Sequence, residues 1–111
     1  MTTADTAAEL HTGDVSALAT PRLIELIEQA TVEALEGQLG PDDTTVSVNV
    51  AIDHVAPVAV GHTVRAEVVV SEVQGRRITF TVSAKDERGL VAAGKVTRVV
   101  IARDKFMAKL T

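Results

Sequence analysis

The sequence predicts an α+β domain in which one long helix lies against a curved antiparallel sheet of four to five strands. Two observations predict it. A 3.6-residue apolar period is sustained once, from Pro21 to about Gln38, whereas the later segments alternate with a period of two. Turn chemistry then divides those segments at Pro41-Asp42-Asp43, at Pro57 to Gly61, at Gln74-Gly75-Arg76 and at Asp86-Glu87-Arg88-Gly89. With 111 residues and no repeat, linker or low-complexity stretch, residues 1–111 read as a single domain.

Each element has a local reason. Residues 1–13 are small, polar and aperiodic, which predicts a loosely ordered arm or at most a short edge strand. Thr20 suits a helix N-cap, because its oxygen can satisfy an orphan backbone N–H, and Pro21 suits the first helical position, where no N–H is needed. Gly37, Gly40 and Pro41 supply the stop, so the helix would be about 27 Å long at 1.5 Å per residue. In the first strand Val46, Val48, Val50, Ile52 and His54 share one face, and Ser47, Asn49, Ala51 and Asp53 the other. Thr63 to Val73 forms the second strand. The third, Arg77 to Lys85, turns Ile78, Phe80, Val82 and Ala84 toward the core. Leu90 to Ala102 is almost continuously apolar, which predicts a fourth strand covered on both faces. The order is a helix followed by an antiparallel meander.

Composition removes several function classes. There is no cysteine, so neither disulfides nor thiolate metal sites are available, and no second histidine stands at ligand spacing, so no metal site is expected. A net charge of −4 with scattered Lys and Arg, and only Phe80 and Phe106 as aromatics, lacks the basic footprint and the stacking platform of a nucleic-acid binder. Met1 to Thr12 has no signal-peptide pattern, and no apolar run approaches the ~20 residues of a membrane helix. A soluble, unprocessed, cytoplasmic protein is expected.

Strands of about eleven residues, roughly 36 Å at 3.3 Å each, are as long as the helix or longer, so one helix laid along a curved sheet can cover much of its apolar face. The remaining apolar surface predicts a second copy, a homodimer or higher homo-oligomer. A sheet wrapped on a central helix and paired edge to edge is the logic of a hotdog fold. Within it, Glu28 borders the arc of Leu23, Ile24, Ile27, Ala30 and Leu35, where a carboxylate needs a reason unless it is simply a solvated helix residue. His54 shares a face with four aliphatic residues, where an imidazole wants a partner, backbone or catalytic. His11 and His62 read as surface residues.

Thr20-Pro21, Glu28, His54, the run His54-Val55-Ala56-Pro57-Val58-Ala59-Val60-Gly61 and the closing Lys105-Phe106-Met107-Ala108-Lys109 resemble the hotdog thioesterases related to fluoroacetyl-CoA thioesterase, from about Thr6 onward. The resemblance implies hydrolysis of a short or small acyl thioester of coenzyme A, without a cofactor, by Thr20, Glu28 and His54, with Ser47, Gly61 and Arg98 binding substrate. Acyl transfer needs a nucleophile or a positioned water, a proton carrier and oxyanion donors. His54 can carry the proton, Glu28 can attack or orient the imidazole, and Thr20 can bond either, so an acyl-glutamate and an activated water both stay open. The chain departs from the family's fluoroacetyl-specific member in two ways. His11 and Asp14 stand near its pair of lid phenylalanines, and Ser47 replaces a glycine beside the substrate. For the anionic coenzyme the candidates are Arg76, Arg77, Arg98, Arg103, Lys105 and Lys109, Arg98 being matched by an arginine in the family. The alternatives are a hotdog dimer that binds an acyl-CoA or small carbonyl ligand without turnover, and an enoyl-thioester hydratase.

Overall fold

Helix α1 runs from Thr20 to Ala34 in the computed structural model, which describes residues 1–111. It is about 22 Å long, shorter than the periodicity predicts. The cause lies beyond Ala34, where Leu35 and Glu36 donate to the carbonyls of Val32 and Glu33 and Gly37 takes φ +75°. The helix therefore tightens and stops on its own glycine. Leu23, Ile27 and Thr31 are its buried stripe, and the Thr31 hydroxyl is satisfied internally by the Glu28 carbonyl at 2.6 Å.

Four strands follow: β1 (Asp43–His54), β2 (Arg65–Gln74), β3 (Arg77–Asp86) and β4 (Gly89–Ala102), all antiparallel in the order β1-β4-β3-β2. Only β2, β3 and β4 form the expected meander. β1 lies beside β4 because the connection after His54 crosses the sheet end, with Val55 and Ala56 both donating to Val91 O and Val58 buried beneath. Ile78, Phe80, Val82 and Ala84 of β3 are buried as their alternation predicts. β4 differs from expectation. Its helix-facing Ala92, Val96 and Arg98 are buried, whereas Ala93 and Thr97 on the other face are half-buried and Lys95 is exposed. One helix covers one face, and the apolar run of β4 reflects its central place between two strands.

The register of β1 corrects the sequence reading most. Ser47 pairs with Arg98 and Asn49 with Thr97, so Val48 is an extra residue in a β-bulge. Such an insertion reverses which face each later residue occupies. After it, Val50, Ile52 and His54 oppose Val96, Gly94 and Ala92 on the helix side. Before it, Thr45 and Ser47 take that side and Val46, opposite Val99, takes the other. Gly94 makes the pairing possible, since a Cβ there would collide with the Ala51 carbonyl oxygen and stand 2.8 Å from the Cα of Ile52.

The arm is folded rather than loose. After a short 3-10 turn (Thr3–Asp5), Thr6 is buried and bridged to Leu18, Ala17 is bridged to Ala59, and Ala7, Ala8 and Thr12 donate to Ala17, Val15 and Ala7 respectively. Asp5 joins it to α1: its carbonyl accepts from Ala19 N–H, and its carboxylate lies 3.5 Å from Arg22 Nε. The Thr2 N–H, at 2.8 Å, holds that carboxyl below the usual aspartate range. The closing tail forms a second helix, α2 (Arg103–Ala108), against the end of β4. No helix is long and apolar enough to cross a membrane.

Candidate active site

α1 begins on the Ala19 carbonyl, which accepts from Arg22 and Leu23 N–H. Thr20 is thus the first helical residue and not the cap, and no side chain caps the helix. Its hydroxyl is free for another partner. Thr20 Oγ1 lies 2.8 Å from Nδ1 of His54, the last residue of β1, which the bulge has turned toward the helix. The other ring nitrogen, Nε2, is shielded and has no hydrogen-bond partner within the chain, an arrangement that is costly unless something else supplies one.

Thr20 and His54 open on a cavity of about 390 Å³. The arm supplies Ala7, Thr12, Val15 and Ala17 to its wall, and the connection after β1 supplies Val55, Ala56 and Pro57. Sequence reasoning missed the arm's part because an aperiodic segment carries no signal of what it covers.

Glu28 lies two turns along α1, about 12 Å from Thr20, in a different environment. Its Oε1 is 3.4 Å from Arg98 Nη1, and Arg98, only 7% exposed, also donates to Thr45 Oγ1 at 2.9 Å and Thr45 O at 3.2 Å. Burial lowers the Arg98 pKa from its ordinary value, and the Glu28 charge opposes that shift. Ser47, Glu33 and Glu36 line the same cleft. Thr45 was not singled out from sequence, because uninterrupted alternation puts it on the wrong face. One chain therefore unites Thr20 with His54, and Glu28 with Arg98 and Ser47, but does not bring the two groups together.

Gly61 occupies a turn at φ +95°, where its N–H donates to Met1 O at 3.0 Å, and it does not line the Thr20–His54 cavity. Arg98 is buried and turns its donors to Glu28 and Thr45. Arg76, Lys105 and Lys109 instead converge around Phe106 on a separate groove of about 290 Å³. His62, expected at the surface, is half-buried with Nδ1 2.7 Å from Glu87 Oε1.

One helix laid on an antiparallel sheet of order β1-β4-β3-β2, with a hydroxyl and an imidazole meeting at the helix start, defines a hotdog domain of the thioesterase type. A family model described as FlK, fluoroacetyl-CoA-specific thioesterase, matches residues 1–104. The chain belongs to that family. It is 33% identical over 92 residues to the fluoroacetyl-CoA thioesterase of Streptantibioticus cattleyicolor, a match covering 83% of this chain and 66% of that relative's length. A solved structure of fluoroacetyl-CoA thioesterase superposes with TM-score 0.92 at 28% identity, covering 99% of this chain and 86% of that one. A variant of it in complex with fluoroacetate and CoA gives 0.90 at 28% identity, covering 98% and 90%. A hot-dog-like protein from Thermanaerovibrio acidaminovorans gives 0.91 at 27% identity, covering 99% and 82%.

Proposed function

We propose that this protein is an acyl-CoA thioesterase whose centre combines Thr20 and His54 of one subunit with Glu28 of another. The observation that carries the reading is the 2.8 Å contact between Thr20 Oγ1 and His54 Nδ1 beside an open cavity, the nucleophile-and-base geometry of acyl transfer. Family membership supplies the substrate class. His54 takes a proton from Thr20 or from water and returns it to the departing thiolate of coenzyme A.

The distribution of the three residues supports assembly across a dimer. β1 is an edge strand with exposed Val48, Asn49 and Val50, and a long apolar edge invites pairing. Glu28 sits beside Thr45 and Ser47 near the start of β1, and His54 ends it. Antiparallel pairing of two β1 edges about a two-fold axis brings the start of one to the end of the other. Glu28 then approaches the partner subunit's His54. Ser47 would lie at that junction as a substrate contact.

The ion pair between Glu28 and Arg98 favours one competing reading, a hotdog dimer that binds an acyl-CoA without turnover. Thiol release from acetyl-, propionyl- and phenylacetyl-CoA separates them. Release above background from any of the three is expected, and saturable binding with no release from all three would favour the binder.

A further inference from the structure

The contact lengths around Arg98 run against what charge alone would give. Its Nη1 stands 3.4 Å from the Glu28 carboxylate, whereas the neutral Thr45 hydroxyl accepts from its Nε at 2.9 Å. Bonds between two charged partners are ordinarily the shorter kind, about 2.7–2.9 Å, and arginine commonly meets a carboxylate with two parallel N–H donors. Here that two-pronged grip falls on Thr45, whose carbonyl takes Nη2 at 3.2 Å. Glu28 is left with Nη1 on Oε1 alone, and no hydrogen bond within the chain holds its Oε2.

Three features maintain this arrangement. Arg98 is 7% exposed, so an Nε–H that lost Thr45 would find no water to replace it. The bulge at Val48 fixes Thr45 on the helix side of β1, opposite Val100. The guanidinium is planar and rigid, so holding its Nε–Nη2 edge also decides where Nη1 points. From this we infer that Thr45 is a positioning residue. It occupies the edge of Arg98 that would otherwise clamp both oxygens of Glu28, and so leaves Oε2 free to face the reacting groups across the dimer. A carboxylate gripped on both oxygens would stay bound to Arg98 instead of turning to an imidazole or a thioester. The inference rests on the thioesterase reading and adds to it a residue that acts only through Arg98.

Thr45→Val keeps the branched shape and removes the hydroxyl, and Thr45→Ser keeps the hydroxyl. The substrate is whichever of acetyl-, propionyl- and phenylacetyl-CoA the parent cleaves fastest. Thr45→Val should lower kcat about tenfold or more, the worth of one hydrogen bond to a charged group, with KM within about twofold. Thr45→Ser should return kcat to within about threefold of the parent. Solvent exchange of the Arg98 Nε–H, followed by NMR, should be slow in the parent and in Thr45→Ser and about tenfold faster in Thr45→Val. Thr45→Ala repeats the test if the valine variant folds poorly. Parental kcat in a folded Thr45→Val protein, no recovery in Thr45→Ser, or unchanged exchange at Arg98 would each overturn the inference. A parent that cleaves none of the three sinks the thioesterase reading instead, and the exchange rates then decide on their own whether Thr45 holds Arg98.

Discussion

A hydroxyl that could have capped a helix faces an imidazole instead, and this changes what substitutions at Thr20 should do. With no cap bond to lose, Thr20→Ala should alter stability by no more than about 0.5 kcal/mol, yet it removes the group at His54. Thr20→Ser should keep most of the activity. Thiol-release rates beside thermal melts check both, and a Thr20→Ala protein as active as the parent would dismiss the hydroxyl. His54→Ala should slow cleavage by about 10² to 10⁴, the range of general acid–base catalysis. Glu28→Gln is a different kind of change, because it leaves Arg98 as a buried cation without a counter-charge. It should cost about 1–2 kcal/mol in denaturant unfolding and also reduce turnover about 10²-fold or more. A stability loss with parental turnover would make Glu28 purely structural.

Elements whose period is unbroken were legible from the chain alone: α1, β3 and the turns at Gln74-Gly75 and Asp86 to Gly89 stand close to where apolar spacing and turn residues locate them. β1 shows where such reading stops. A bulge is a property of a strand pair, so the inserted Val48 is invisible until Ser47 and Asn49 are matched against Arg98 and Thr97. That one residue decides that Thr45, and not Val46, reaches Arg98. Thr20, Glu28 and His54 stood out in the chain as residue types at family spacing. Their grouping did not, because it depends on side-chain partners such as Arg98, far off in sequence. Gly94 offers a direct probe of the pairing. Gly94→Ala drives a methyl group into the backbone of β1 and should destabilise the fold by about 3 kcal/mol, the upper end for overpacking, read as a fall in the unfolding midpoint. A neutral result would mean that β1 can move away from β4 at no cost.

For the whole molecule, assembly is the testable property. Sedimentation at micromolar concentration should give a dimer, and Val48→Lys, which sets like charges against each other where two β1 edges would meet, should weaken association and turnover together. Subunit mixing is sharper. If each centre takes His54 from one subunit and Glu28 from the other, exchanging His54→Ala with Glu28→Gln protein should restore about a quarter of parental activity, because half the dimers are mixed and each of those has one intact centre. Mixing that restores nothing would put all three residues in one subunit. Acid should act on a separate part of the molecule. The folded Asp5 carboxyl titrates below its unfolded value of about 3.9, so its contribution is present above that pH and is lost as pH falls through the lower folded value. Hydrogen exchange at residues 2–6 should accelerate there before the sheet opens.

The absence of aromatic rings around Thr20 and His54 also has an optical consequence. With no tryptophan or tyrosine anywhere in the chain, the protein is nearly dark at 280 nm and emits almost nothing when excited there. A single indole introduced by Val15→Trp would therefore be the sole emitter, and its colour and intensity would report the filling of that cavity with no background to subtract.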